Sequence, residues 1–125
     1  MSDLTSYKGV KYIDEAGTFE AEITGCESEY NPNKACDQIK YTFETEVGQI
    51  TKLYFDNPKA GIFLKLLAEA CELPEAEMKN FMAEMLVGKH CLIEVEPYTG
   101  NNGKEYMQIK DVHKSVTTFI ADQPF

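Results

Sequence analysis

Residues 49–74 read QITKLYFDNPKAGIFLKLLAEACELP, and within this stretch the spacing of the apolar side chains changes from that of a strand to that of a helix. Gly48 ends the preceding strand, and Gln49 to Phe55 is predicted to form the third strand. Leu53 and Phe55 are the better core pair, although a shift of one residue would exchange the two faces. The residues assigned to the opposite, solvated face are Ile50, Lys52 and Tyr54.

A helical segment follows this strand. Asp56 or Asn57 can cap a helix, and Pro58 suits its first turn. Apolar residues then recur every three or four positions until Pro74, and a second helix is predicted over residues 75–86. The apolar positions are Ile62, Phe63, Leu66, Leu67 and Ala70 in the first helix, and Met78, Phe81, Met82 and Met85 in the second.

Two strands are predicted before this stretch. Apolar and polar residues alternate in Thr18–Thr24 and again in Asp37–Thr45. Gly25 favours a bulge, and Asn31-Pro32-Asn33 predicts the turn that joins the two strands. The inward residues are Phe19, Ala21, Ile23, Ile39, Tyr41 and Phe43.

Two further strands are predicted after the helices. Alternation returns in His90–Tyr98 and in Glu105–Val112, and Thr99–Gly103 between them predicts a hairpin loop. The inward residues are Cys91, Ile93, Val95, Met107 and Ile109.

This order of elements predicts a mainly β protein: a five-stranded, OB-like (oligonucleotide/oligosaccharide-binding) Greek-key barrel with a helical insertion of about residues 58–87 between strands 3 and 4. An α+β meander with helices on one face is the alternative. We expect one domain over residues 1–114, to which residues 1–17 can add an edge strand, and a tail over residues 115–125. The expected core is Phe19, Ile23, Tyr41, Phe43, Leu53, Phe55, Ile93, Val95 and Ile109, with Phe63, Leu66 and Leu67 sealing one end of the barrel.

The composition limits the classes of ligand. The 125 residues include 12 lysines and no arginine against 21 acidic residues, which gives a formal charge of −9. Such a surface does not hold duplex DNA by bulk attraction. The lack of guanidinium groups also disfavours sequence-specific reading of the major groove. Any nucleic-acid site must therefore be local.

The four cysteines predict reduced thiols. Cys26, Cys36, Cys71 and Cys91 form no CxxC pair. The start of the chain lacks the basic region of a leader peptide, and no apolar stretch approaches the length of a membrane span. We therefore expect a soluble, cytoplasmic protein that does not interact with membranes.

Catalysis is not predicted. His90 and His113 are the only histidines, and nothing in their spacing specifies a nucleophile, a base or a metal set. The Glu pairs in the strands alternate with apolar residues, as in any solvated strand. We therefore expect no enzymatic activity, no cofactor and no metal.

Tyrosines and lysines on the predicted strands and loops suggest a binding surface. An aromatic ring stacks on any unstacked base, and scattered lysines follow phosphates without reading sequence. In the alternative, the tyrosines cover barrel ends and the lysines keep sheet edges soluble. The candidate nucleic-acid-binding residues are Tyr30, Lys34, Lys40, Lys52, Tyr54, Tyr98, Lys104, Tyr106 and Lys110.

Four stretches carry a family resemblance: GTFEAEI at 17–23, LKLL at 64–67, LVGK at 86–89 leading into IEV at 93–95, and GKEY at 103–106. Residues 17–112 thereby resemble the small OB-fold single-stranded DNA-binding proteins of bacteriophages. The resemblance implies sequence-tolerant binding of single-stranded DNA in phage-type replication or recombination, in the cytoplasm of a bacterial host. An OB-like protein-interaction module with an acidic surface and no nucleic-acid binding is the alternative.

The last four residues, Asp122-Gln123-Pro124-Phe125, resemble the tip of bacterial single-stranded DNA-binding proteins. The resemblance implies that Asp122, Pro124 and Phe125 dock onto replication or recombination proteins. This sequence departs from the family because Asp122 alone supplies acidity where the family has a run of acids. Packing of Phe125 within the protein is the alternative to docking, and a homo-oligomer is an open alternative to a monomer.

Overall fold

The computed structural model of the protein describes residues 11–115. Five strands, paired antiparallel, form one sheet with few helices. The strands are β1 (Gly17–Asn31), β2 (Cys36–Thr45), β3 (Gly48–Asp56), β4 (His90–Thr99) and β5 (Glu105–His113). Their order across the sheet is β3-β2-β1-β4-β5. The prediction of a mainly β protein with five strands is confirmed.

β1 is the central strand and is bent between its two partners. Residues 17–22 pair with β4, and residues 22–31 pair with β2. The register shifts between Ile23 and Gly25, so the bulge predicted at Gly25 is confirmed. A Cβ atom at Gly25 would lie only 3.3 Å from Oγ1 of Thr42 on β2. The bulge therefore brings the two strands close together and turns β1 from one partner to the other.

The predicted register of β3 is wrong by one residue. Ile50 and Tyr54 are buried, whereas Leu53 is 46% exposed and Phe55 is only half-buried. The two-residue turn at Glu46 and Val47 sets this register, because it pairs Thr45 directly with Gly48. Leu53 and Phe55 therefore lie on the outer face of the sheet.

The rest of the predicted strand core is largely confirmed. The Tyr54 ring packs edge-on against Tyr41, with 5.8 Å between ring centroids. Phe19 packs against the core but is only half-buried. The predicted core residues that are buried are Ile23, Tyr41, Phe43, Leu67, Ile93, Val95 and Ile109.

Helix α1 (Gly61–Ala70) begins three residues later than predicted. Asn57 closes a turn before it, because its side-chain oxygen accepts the N–H of Ala60 at 2.7 Å and its carbonyl accepts that of Gly61. The predicted sealing role of Phe63 and Leu66 is wrong, since they are 57% and 45% exposed. The face of α1 that packs on the sheet consists of Leu64, Leu67, Ala68 and Ala70.

The predicted second helix is not continuous. Helix α2 (Glu75–Met78) has four residues, and a 3₁₀-helix follows at Ala83–Leu86. Met82 between them is extended and 54% exposed, so its predicted burial is wrong. The carbonyl of Ala83 accepts the hydroxyl of Tyr41 at 2.7 Å. This bond fixes the 3₁₀-helix against the sheet, with Leu86 fully buried.

Contacts at the sheet edges bring β3 close to β5. Nζ of Lys52 on β3 donates to the carbonyl of Ile109 on β5 at 3.1 Å. Tyr12 forms a parallel bridge with Gln49 at the start of β3.

Ser115, the first residue of the predicted tail, is buried, and its hydroxyl donates to Glu20 on β1. The rest of the tail, including Asp122, Pro124 and Phe125, lies outside the described residues.

Candidate nucleic-acid interface

The outer surface of β2 and β3 combines apolar and cationic side chains. Lys40 pairs with Leu53, and Gln38 pairs with Phe55 on the same face. The neighbouring positions Thr42 and Thr51 pair as well. We call these six residues, together with Lys34 in the turn before β2, the β2–β3 outer face. It exposes a half-buried aromatic ring and a leucine beside two ammonium groups.

Lys34 reaches this face from the turn between β1 and β2. The side-chain oxygen of Asn31 accepts the N–H groups of Asn33 at 2.9 Å and of Lys34 at 3.2 Å, as the predicted turn residues suggest. Nζ of Lys34 lies 5.0 Å from the centroid of the Phe55 ring, within the range of a cation–π contact. The turn is thereby joined to β3.

Acidic residues of β1 border the β2–β3 outer face. Glu27 lies opposite Lys40, and its carboxylate is 3.1 Å from Nζ of that lysine. Glu29 accepts a hydrogen bond from the side-chain amide of Gln38 at 3.3 Å. These groups and Leu53 line a shallow cavity of about 170 Å³. Glu27 and Glu29 therefore place negative charge along the β1 side of this face.

Two of the predicted site residues face inward. Tyr54 is 3% exposed, so its predicted position on the solvated face is wrong. Lys52 is half-buried, and its Nζ lies 5.7 Å from the Tyr54 ring centroid. Burial lowers the pKa of Lys52, against the opposing effect of Asp111. Both side chains fill the region between β3 and β5, and neither is placed to stack on a base.

The hairpin of β4 and β5 carries a second aromatic group. Tyr98 and Tyr106 pair directly across the strands, with ring centroids 5.6 Å apart and planes inclined by 31°. Each is 42% exposed. The side-chain amide of Asn102 donates to the Tyr106 hydroxyl at 2.9 Å. A Cβ atom at Gly100 would lie 2.9 Å from the Tyr106 ring, so a larger residue there would displace this ring.

The remaining predicted residues lie near these groups or apart from them. Lys104 is exposed in the hairpin loop, where its N–H donates to Asn102. Tyr30 is exposed at the end of β1, where it pairs with Asp37. Lys110 is exposed at the irregularity in the pairing of β4 with β5. Among residues 11–115, no hydrogen bond or ring contact joins the hairpin tyrosines to the β2–β3 outer face.

Leu53 and Phe55 are the surface residues that the sequence reasoning placed in the core. The sequence allowed for this outcome, because the register of β3 was ambiguous by one residue. Resolving it required the turn at Glu46 and Val47, because that turn determines which residue of β3 faces Phe43. Once the register is known, Leu53 and Phe55 lie on the same outer face of the sheet as Lys40.

The two histidines and the fully buried Cys91 lie apart from the β2–β3 outer face. His90 is exposed near Glu22, whereas Cys91 is fully buried on the opposite face of β4. A hydrogen bond that the Cys91 thiol donates to Cys71, together with burial, raises the pKa of Cys91, so it is not a reactive thiolate. Elsewhere Nε2 of His113 is 2.5 Å from a Glu94 oxygen. A metal could be held by Glu94, Asp111 and His113, whose ligand atoms lie within 4.8 Å of one another.

The comparisons with known proteins identify no relative. No protein-family model matches the chain, and no curated protein shows significant sequence similarity to it. No helix among residues 11–115 is both long and apolar enough to cross a membrane. The function is therefore inferred from the geometry of the residues themselves.

Proposed function

We propose that this protein binds single-stranded DNA with little sequence preference on the β2–β3 outer face. One observation carries the proposal: the Lys34 ammonium group stands over the Phe55 ring, next to Leu53 and Lys40. A base can stack on the outward-facing, half-buried Phe55 ring, while the lysines attract the phosphates on either side. The tyrosine pair of the β4–β5 hairpin supplies a second stacking platform.

The fold supports this choice of face. We propose that the sheet is a partly open OB-type Greek-key barrel, with the helices inserted between β3 and β4. The strand order and the Lys52 to Ile109 hydrogen bond, which brings β3 beside β5, favour that arrangement. In OB folds, the face of strands 2 and 3 and the loops 1–2 and 4–5 bind oligonucleotides. Lys34 and Lys104 lie in those two loops.

The charge of the protein determines the kind of binding. A net charge of −9 repels a polyanion overall, and Glu27 and Glu29 limit the attractive area. We therefore expect affinity that depends strongly on salt and comes from stacking plus a few phosphate contacts. A role in phage-type replication or recombination, with partners recruited through Asp122, Pro124 and Phe125, completes the proposal.

A second candidate function is binding of a basic protein without nucleic acid. The observation that favours it is a group of non-buried acids on the outer surface of the sheet, away from β3. Glu22 lies opposite Glu44, and Glu94 lies opposite Asp111. Such a surface attracts a cationic partner.

Backbone amide shifts in NMR spectra separate the two candidates. Single-stranded DNA binding predicts that an oligo-dT of about ten nucleotides perturbs the amides of Lys34, Lys40, Phe55 and Tyr106, with α1 unaffected. The acidic-surface candidate predicts no change with oligo-dT, and changes around Glu94 and Asp111 with a lysine-rich peptide. Shifts spread evenly over the protein would contradict both.

A further inference from the structure

A groove on the helical side of the protein is separate from the proposed DNA site. It has a volume of about 350 Å³ and lies between α1 and the segment from α2 to Phe81. Leu64 and Ala68 form its buried floor, and half-buried Met78 and Phe81 contribute apolar walls. Its size is in the range of ligand pockets, and its lining suits a bulky apolar side chain.

The charges around this groove differ from those of the surrounding segment. Lys65 and Lys79 both line the groove, against Glu75 as its single acid. Residues 56–86 otherwise carry more acids than lysines. The groove is therefore a local cationic, apolar site, which matches an occupant that places a carboxylate beside a large apolar side chain.

We propose that residues 119–122 of this same chain, Phe119-Ile120-Ala121-Asp122, dock in the groove. Within residues 116–125 the single charged side chain is Asp122, and two large apolar residues lie just before it. The other end of the chain, residues 1–10, carries both Asp3 and Lys8, so it has no net negative charge and matches a cationic groove less well. Phe119 or Ile120 would fill the apolar space, and Asp122 would approach Lys65 or Lys79, so docking in the groove would withhold Asp122 from the partner contact proposed above.

The position of Ser115 makes this docking geometrically reasonable. Ser115 is held against Glu20 on β1. The same strand is tied to the chain just after the 3₁₀-helix, because the carbonyl of Ile23 accepts the N–H of Gly88 at 2.7 Å. Residues 119–122 follow Ser115 by four to seven positions, which span about 13–23 Å when extended. That reach is comparable with the radius of gyration of a domain of this size, about 14 Å.

Gly61 provides a way to block the groove without damaging the fold. It lines the groove, and a Cβ atom added there meets nothing within 4 Å. Gly61→Leu therefore places a side chain at the groove while favouring the helix. Lys65→Glu tests the charge requirement, and Lys59→Glu, a lysine that does not line the groove, is its matched control.

The experiment uses the full chain, which contains no tryptophan, with Phe119→Trp as the single reporter. Docking predicts blue-shifted emission and several-fold weaker acrylamide quenching than for Thr117→Trp. Gly61→Leu and Lys65→Glu should each move the emission to longer wavelength, whereas Lys59→Glu should not. Circular dichroism checks that each variant is folded.

Three outcomes would overturn the proposal. One is emission of a fully hydrated tryptophan from Phe119→Trp. Another is blue-shifted emission that neither groove variant changes, which would place Phe119 on some other surface. A third is emission that shifts to the blue only as protein concentration rises, which would mean that the segment docks on a second copy.

Discussion

Nζ of Lys34 lies 5.0 Å from the centroid of the Phe55 ring, which joins the β1–β2 turn to an outward-facing ring of β3. The two residues are 21 positions apart in the sequence, and neither position alone indicates a binding surface. Together they place a cation and an aromatic face at one point on the sheet. A nucleotide needs this combination, because its base stacks and its phosphate carries the charge.

Phe55→Ala should weaken the binding of single-stranded DNA by about 1–3 kcal/mol, or roughly 5- to 150-fold in Kd. The loss should be similar for oligo-dT and for mixed sequences, because stacking does not read base identity. Phe63→Ala is the matched control, since it removes an exposed ring from α1 instead. Fluorescence anisotropy measures both variants. An equal loss in the two would contradict the assignment of the site to β3.

Lys34→Gln should reduce the salt dependence of binding. Each phosphate contact with a single strand contributes about 0.7 to the slope of log K against log salt concentration. Removing one cation should therefore lower the magnitude of the slope by about that amount. Lys79→Gln, on the helical side of the protein, should leave the slope unchanged. If Lys34→Gln keeps the slope of the unmodified protein, the claim that Lys34 contacts a phosphate is wrong.

Tyr98 and Tyr106 should act as one platform, since their rings lie 5.6 Å apart. Tyr106→Ala should therefore weaken DNA binding. Tyr98→Ala should reduce the DNA affinity less in the Tyr106→Ala variant than it does in the unmodified protein. Tyr106→Phe keeps the ring and gives up only the bond from Asn102, so we expect its Kd to stay within about twofold. Isothermal titration calorimetry can measure the series. A Phe variant as weak as the Ala variant would mean that the hydroxyl, not the ring, makes the contact.

Tyr41→Phe tests the anchoring of the 3₁₀-helix. The Ala83 carbonyl loses its donor, so we expect about 1 kcal/mol lower free energy of unfolding at pH 7. Burial raises the pKa of Tyr41, so in the folded protein its hydroxyl keeps a proton that the unfolded chain releases above about pH 10. The contribution of the Tyr41 hydroxyl to the free energy of unfolding is complete below that pH and decreases as pH rises. The difference between the two proteins should therefore shrink above pH 10, as urea unfolding can show, and a constant difference would contradict this.

The strand pattern was readable from the sequence because each strand has one buried face. Alternation at Phe19, Ala21 and Ile23 and at Cys91, Ile93 and Val95 follows from burial on one side only. The buried face of β3 was harder to predict, since the residues on each of its two faces include large apolar side chains. Its register depends on a tight turn and on pairing with β2, which are not visible in β3 itself.

The helices and the binding surface were predictable only in part. Spacing identified α1 but not which of its apolar residues are buried: Leu64 and Leu67 are buried, whereas Phe63 and Leu66 stay largely exposed. The periodicity of residues 75–86 could not show that the chain is extended at Met82. Lys34, Lys40 and the hairpin tyrosines were correctly expected at the surface, and Tyr54 exchanged faces with Phe55 through the register error.

The most direct test of the central claim is an anisotropy titration of a labelled oligo-dT with the unmodified protein and with Phe55→Ala, at about 50 and 200 mM salt. We predict saturable binding at low salt, a marked loss at high salt, and weaker binding by the variant at both. The account is contradicted if the unmodified protein does not bind at low salt, or if the variant binds as tightly.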